Sequence, residues 1–223
     1  MTFSPEQHSA QSGSAGPEAL QQETDARTIE VMRAFANAIE ARDEFTRWHS
    51  TRVADISRRI ARKLDLSERN VQLVYWAATV HDVGKIGIPE QILKKKDPLN
   101  IDEIRIIRQH PQIGASILYP IGAFKELIPI IQHHHERFDG TGYPDGLKGA
   151  AIPFLSRIVT AADAFEAMTS DRCYRKAYSC DKVLYKLQRN ASTQFDPVVV
   201  DAVTELAASN ELGEYGRVLD YVI

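Results

Sequence analysis

Apolar residues recur every three or four positions along most of the chain, which is the spacing of an amphipathic helix. Alternation with a period of two, which would indicate strands, is weak throughout. The pattern therefore predicts an all-α fold. The two clearest stripes consist of Ile29, Met32, Phe35 and Ile39, and of Val53, Ile56, Ile60 and Leu64.

Changes in composition divide the chain into four predicted parts. Residues 1–26 are rich in Ser, Gln, Glu and Gly. They bury too little apolar surface to offset the entropy of ordering, so a disordered or linker segment is expected. Residues 27–45 are predicted to form a leading helix that either covers the core or pairs with a second subunit. Residues 46–210 form the main helical domain, and 211–223 a C-terminal tail.

Local signals predict where two of the helices begin and end. A nearly continuous apolar run before residue 81 is expected to end at Gly84, which would act as a helix C-cap. Asn100, followed three residues later by Glu103, resembles a capping box at the start of another helix. Ile104 and Ile107 would then give the inner face of that helix.

Bulk properties exclude several classes of function. A net charge of -3 over 223 residues argues against a surface that binds polymeric nucleic acid. Two cysteines are too few for a disulfide framework. No apolar run approaches the roughly 20 residues that a membrane span needs, and the N-terminus does not resemble a signal peptide. The sequence therefore predicts a cytoplasmic protein with no membrane partner.

Five histidines and two aspartates stand beside or within the apolar stripes. A charged or half-charged group on such a face costs about several kcal/mol unless a partner satisfies it. A lone histidine there is more often an ordinary core residue. Seven such groups are more simply explained by metal ions at the centre of a helical bundle. They are His49, His81, Asp82, His110, His134, His135 and Asp163.

The donor types narrow the kind of metal site. No cysteine belongs to the set, which disfavours a structural zinc site, whereas imidazole and carboxylate suit catalytic iron, manganese or zinc. His81 and Asp82 are adjacent and project about 100° apart on a helix. They are therefore poorly placed to chelate one ion together, but the two oxygens of Asp82 can bridge two ions while His81 binds one.

Motifs around these residues resemble the HD-GYP domain, a branch of the HD phosphohydrolase superfamily. The resemblance runs from about residue 43 to 197, and the motifs occur in the family's order. They are HDVGKIGIP at 81–89, HP at 110–111, HHE at 134–136, DGTGYP at 139–144, RIV at 157–159, AD at 162–163, TSDR at 169–172, YRKA at 174–177 and QFDP at 194–197. The fold expected from this resemblance is an HD-type helical bundle with a Gly-rich GYP loop.

The resemblance implies a bacterial phosphodiesterase that opens cyclic di-GMP to linear pGpG, with GMP left open as a further product. Some members of the family hold a third metal ion through a Glu four residues before the first His. That position is Phe45 here, so two divalent ions, iron or manganese, are predicted. By the same carry-over, His49, His81 and Asp163 would hold one ion, His110, His134 and His135 the other, with Asp82 bridging.

Two residues are predicted to be catalytic. A water between two divalent ions has its pKa lowered enough to be hydroxide near neutral pH, and it would attack the phosphorus in line. Asp82 would hold both ions in place for this attack. Lys85 would contact the scissile phosphate or order the nucleophile; otherwise it is a solvated cation at a helix end.

Further substrate contacts follow from the resemblance alone. Arg172 and Arg175 match positions that contact phosphate in the family, and a guanidinium suits a pair of phosphate oxygens. Gly142 and Tyr143 of the GYP loop would supply an aromatic face near the substrate and a surface for partner proteins. Glu166 stands where the family usually has Asp, which is expected to be a conservative change outside the metal ligands.

Two alternatives keep the fold and change the function. The site could hydrolyse another cyclic dinucleotide or a nucleotide phosphate. The chain could instead be a signalling adaptor that binds the dinucleotide, or binds a GGDEF-type cyclase or another signalling protein through the GYP loop. A homodimer is compatible with the pattern of the leading helix.

Overall fold

The computed structural model describes residues 17–42, 48–171 and 176–212. Regular secondary structure in these ranges is helical, which confirms the all-α class. None of the described helices combines the length and the apolarity needed to cross a bilayer. The helices are α1 (Pro17–Arg42), α2 (His49–Lys63), α3 (Glu68–Val80), α4 (Glu90–Leu93), α5 (Ile101–Ile107), α6 (His110–Leu118), α7 (Ile128–Gln132), α8 (Phe154–Thr169), α9 (Cys180–Arg189) and α10 (Pro197–Ala208).

The centre of the bundle is formed by α2 packed against both α3 and α8. Ile56 and Ile60 of α2, Val74 of α3 and Phe165 of α8 are fully buried there. α7 and α10 flank this group, and α9 packs on α8 and α10. The three central helices carry or precede four of the seven predicted metal ligands, namely His49, His81, Asp82 and Asp163, so burial of the core also positions these residues.

The leading helix α1 is longer than the sequence pattern predicted. It begins at Pro17, so residues 17–26, expected to be disordered or a linker, are helical. Their Ala, Leu, Gln and Glu residues have high helix propensity, which outweighs the shortage of apolar residues. Met32, Ala36 and Ile39 are buried, and α1 packs on α3. Of the two predicted roles, α1 therefore covers the core. Dimerisation and the domain boundaries stay predictions. Residues 1–16 and 213–223 lie outside the described ranges.

The third helix ends earlier than predicted. α3 stops at Val80, and a short 3₁₀ turn, Val83–Gly87, follows it. Gly84 therefore lies within this turn and is not the helix cap that was expected. A Cβ at Gly84 would lie 1.8 Å from the carbonyl oxygen of His110. The glycine lets the turn approach the start of α6.

The capping box at α5 is confirmed, but the burial of this helix is not. The Asn100 side chain accepts a hydrogen bond from the backbone of Glu103, and the Glu103 side chain accepts one from the backbone of Asn100. Ile104, predicted to face inward, is 36% exposed, and no residue of α5 is fully buried. α5 packs mainly against the short α4 at the surface, so its apolar stripe has little core to face.

Candidate metal centre

All seven predicted metal ligands lie at the centre of the bundle, although they come from five separate segments of the chain. Each stands at a helix start or end, or on the inner face of a helix. His49 begins α2, His81 and Asp82 follow α3, His110 begins α6, His134 and His135 follow α7, and Asp163 lies within α8.

Three groups of three ligand atoms are found, and within each group the atoms lie within 4.8 Å of one another. Two of them match the sets that the resemblance implied: His49, His81 and Asp163, and His110, His134 and His135. The third consists of His81, Asp82 and His134, and it takes one histidine from each of the other two. The rings are also close, with His134 and His135 centroids 4.0 Å apart and those of His110 and His135 4.9 Å apart.

The Asp82 carboxylate lies between the two groups. Its Oδ2 is 3.9 Å from Nε2 of His49 and 3.5 Å from Nε2 of His81, while its Oδ1 is 3.4 Å from Nε2 of His110. One oxygen therefore faces each group. This is the arrangement that a bridging carboxylate requires, and Asp82 as the bridge stays a prediction that the geometry supports.

Backbone carbonyls orient three of the histidines. Nδ1 of His81, His110 and His134 lies 2.6, 2.8 and 2.6 Å from the carbonyl oxygen of the residue three positions earlier. A carbonyl oxygen only accepts, so each Nδ1 carries the proton and each Nε2 directs a lone pair at the centre. Such partners fix the ring of a metal-binding histidine and raise its basicity.

A carboxylate orients His49 instead. Nδ1 of His49 donates to Oε2 of Glu166 at 2.5 Å, and Glu166 is 1% exposed. Nε of Arg52 and the Ser170 hydroxyl donate to Oε1 of Glu166 at 2.7 and 2.6 Å. Burial alone would raise the pKa of Glu166, but His49 and Arg52 lower it to about 2. Sequence reasoning missed this role, because it depends on a contact between α2 and α8.

The protonation states differ between the two groups of ligands. Burial lowers the pKa of His110 to about 4 and that of His135 to about 3, so both are neutral at pH 7 and can offer a lone pair. Burial would also lower the pKa of His49, but hydrogen bonds to Asp163 and Glu166 raise it to about 9. With that pKa, His49 is protonated at pH 7 and would have to release a proton to ligate a metal ion.

The chemistry of the donor set fits divalent transition-metal ions. Five imidazoles and two carboxylates converge with no sulfur ligand among them, and most are buried. Imidazole and carboxylate oxygen together suit iron, manganese or zinc. The identity and number of the ions stay predictions.

Lys85 is held beside the centre by Asp82. It lies in the 3₁₀ turn after α3, and its Nζ donates to Oδ2 of Asp82 at 2.7 Å. Burial would raise the pKa of Asp82, but the positive charge of Lys85 holds it well below its usual range. The Lys85 side chain keeps 19% of its surface exposed. Lys85 is therefore only partly buried beside the candidate metal ligands.

The GYP loop is attached directly to a metal-ligand histidine. The backbone N–H of Tyr143 donates to the carbonyl oxygen of His135 at 3.2 Å. The two rings stack with centroids 4.9 Å apart and an angle of 27° between their planes. A Cβ at Gly142 would lie 2.3 Å from the backbone nitrogen of Arg137, so only glycine fits there. The predicted aromatic face is therefore next to the metal centre.

Three other predictions concern residues that the structure does not describe. Arg172 and Arg175, expected to contact phosphate, lie between the described ranges that end at 171 and resume at 176. Phe45, which suggested two ions rather than three, lies between the ranges that end at 42 and resume at 48. All three stay predictions.

A family comparison agrees with this geometry. The sequence model of the HD domain family, described as "HD domain", matches residues 33–199. The chain belongs to the HD domain family. This finding confirms the resemblance drawn from the motifs. The matched residues include all seven candidate metal ligands of this HD domain.

Curated relatives are named as phosphodiesterases of two cyclic dinucleotides. Over 188 residues the chain is 40% identical to the cyclic di-GMP phosphodiesterase response regulator RpfG of Xanthomonas campestris, covering 81% of this chain and 48% of the relative. Over 167 residues it is 38% identical to 3'3'-cGAMP-specific phosphodiesterase 3 of Vibrio cholerae, covering 75% and 36%. The chain thus spans about half of the length of the first relative and about a third of the second.

A solved structure supports the fold. The crystal structure of the cyclic GMP-AMP-specific phosphodiesterase V-cGAP3 from V. cholerae superposes with a TM-score of 0.66 at 21% identity. The match covers 85% of this chain and 51% of that one. At this identity the likeness concerns the HD-type helical bundle alone.

Proposed function

We propose that this HD domain is a metal-dependent phosphodiesterase that hydrolyses cyclic di-GMP to linear pGpG, with GMP as a second product if the linear dinucleotide is also cleaved. The observation that carries the proposal is the convergence of five imidazoles and two carboxylates in two groups of three around Asp82. The names of the relatives supply the substrate class.

Two divalent cations, iron or manganese, would be held by the two groups, with Asp82 between them. When bound, such ions supply Lewis acidity toward a phosphoryl oxygen and lower the pKa of a water to near neutrality. The chain's contribution is to fix the ligands. Carbonyl and carboxylate partners behind four of the rings keep Nε2 of His49, His81, His110 and His134 directed at the centre before substrate arrives.

Substrate would be oriented by groups at the mouth of the centre. Lys85, whose Nζ donates to Oδ2 of Asp82 at 2.7 Å, would place its positive charge beside a non-bridging oxygen of the scissile phosphate. The Tyr143 ring offers a flat surface beside His135 on which a base can stack. Arg172 and Arg175 would bind further phosphate oxygens. No side-chain nucleophile is required in this scheme.

A second candidate substrate is 3'3'-cGAMP. One relative, 38% identical, is named as specific for that dinucleotide. It differs from cyclic di-GMP in one base only, and the metal centre would act on either in the same way.

The proposal is tested by incubating metal-loaded protein with cyclic di-GMP under anaerobic conditions and separating the products by liquid chromatography. The expected result is linear pGpG, with no product from the Asp82→Asn variant. A parallel incubation with 3'3'-cGAMP compares the two candidate substrates. Binding of the dinucleotide without turnover over hours would contradict the enzyme and favour a signalling adaptor.

The proposal extends to the surroundings of the protein. We place it in the cytoplasm, with the loop at 139–144 as a contact surface for GGDEF-type or other signalling proteins, and with a homodimer as its candidate assembly. Light scattering of the purified protein, alone and with a GGDEF-domain protein, measures both associations. A monomer with no complex would contradict this part alone.

A further inference from the structure

Arg108 is linked to the metal centre through one aromatic ring. It follows α5 directly and stands two residues before His110. Its guanidinium carbon lies over the Tyr143 ring, 5.1 Å from the centroid. The same ring stacks on His135. The guanidinium is therefore at the edge of the candidate site, although none of the sequence motifs includes Arg108.

The charge of Arg108 has no acidic partner in the described part of the chain. Its side chain is exposed, and no described carboxylate lies within 4.0 Å of its guanidinium. Other nearby cations are paired, Lys85 with Asp82 at 2.7 Å and Arg105 with Asp102 at 2.8 Å. Arg108 thus offers a planar cation whose N–H donors are available to an incoming anion.

We infer that Arg108 binds the phosphodiester of a cyclic dinucleotide that is not being hydrolysed. This inference rests on the proposed function. A cyclic dinucleotide carries two phosphodiesters, and while one occupies the metal centre the other keeps its negative charge. A guanidinium can bind two oxygens of that phosphate at once. Contact with the Tyr143 face holds the guanidinium in a defined orientation, as cation–π pairs do.

The test compares Arg108→Ala with Arg105→Ala, which removes the same charge three residues earlier, within α5, from a residue paired with Asp102. Steady-state rates are measured with cyclic di-GMP, 3'3'-cGAMP and bis(p-nitrophenyl) phosphate, a diester with a single phosphate. Arg108→Ala is expected to raise KM for both dinucleotides by the same factor, about tenfold or more, as for loss of a charge-assisted hydrogen bond. In Arg108→Ala, the kcat values for the dinucleotides and the rate of hydrolysis of the small diester are expected to stay unchanged. In Arg105→Ala, the rates with the dinucleotides and with the small diester are both expected to equal those of the wild type.

Other outcomes identify which inference fails. An unchanged KM in Arg108→Ala, or a rise for only one dinucleotide, overturns the phosphate contact. If Arg108→Ala lowers the activity on the dinucleotides and on the small diester equally, or releases bound metal, Arg108 only supports Tyr143. Either result also overturns the phosphate contact. Arg108→Lys, which keeps the charge, is expected to recover part of the affinity. Wild-type protein that cleaves the small diester but neither dinucleotide contradicts the proposed function itself.

Discussion

Replacing Glu166 by Gln removes one negative charge from behind His49 and leaves the side-chain shape almost unchanged. Glu166 accepts from His49 through one oxygen and from Arg52 and Ser170 through the other. A Gln amide has a single oxygen, so its NH₂ group must face either the imidazole or the guanidinium. If it faces His49, Nδ1 of that ring must become the acceptor, and the proton moves to the nitrogen directed at the metal centre.

The size of the effect follows from the lost contact. A hydrogen bond to a charged group contributes about 1.5–3 kcal/mol, and about 1.4 kcal/mol corresponds to a tenfold change in binding. The ion held through His49 should therefore bind about 10- to 100-fold more weakly, the range typical of partners behind metal-binding histidines. Arg52 is 36% exposed, so water screens its attraction to Glu166 and most of the loss arises at His49.

The assay is titration of metal-free protein with Mn²⁺ by isothermal calorimetry, with urea unfolding to confirm that the variant folds. Glu126→Gln is the matched control, because Glu126 is 56% exposed and pairs with Arg69 at the surface. Glu166→Asp keeps the charge and is expected to retain most of the affinity. Wild-type affinity for both ions in Glu166→Gln would refute the role assigned to Glu166.

Two further predictions concern stability. Gly142→Ala should lower the free energy of unfolding by about 1–3 kcal/mol, because the added Cβ would overlap the backbone. Gly122→Ala should have little effect in the same urea titration, because a Cβ there would meet no atom of the described residues within 4 Å outside its own local backbone. Equal effects of the two substitutions would contradict the packing at Gly142. With a chelator present, the free energy of unfolding should fall as the pH is lowered from 6.5 toward 4. In this range the imidazoles of the unfolded chain take up protons, whereas in the folded protein His110, with a pKa of about 4, and His135, with a pKa of about 3, stay largely unprotonated. Replacing both histidines by Gln should flatten this slope, and an unchanged slope would contradict the prediction.

The sequence predicted much of the fold and site because their signals are local. The period of apolar residues predicts helices, and the capping box at Asn100 depends on contacts three residues apart. The motif spacing around His81 and Asp82 carried the resemblance to the HD-GYP family. That resemblance also implied the two sets of three ligands that lie together in the structure.

Features that depend on contacts between distant segments were not predictable. Glu166 looked like a conservative change, because its contact with His49 spans 117 positions of the chain. Gly84 looked like a helix cap, and only the approach of α6 explains why a Cβ cannot fit there. Ile104 follows a helical stripe, yet α5 lies at the surface with little core opposite it.

The central claim is that the two histidine-rich groups bind metal ions as one unit through Asp82. Elemental analysis of anaerobically purified protein tests it most directly, with His81→Ala and Asp82→Ala measured in parallel. About two iron or manganese ions per chain are expected in the wild type, as for binuclear hydrolase centres, and both should be lost in each variant. Wild-type protein that retains no metal, or variants that retain the wild-type content, would contradict the account.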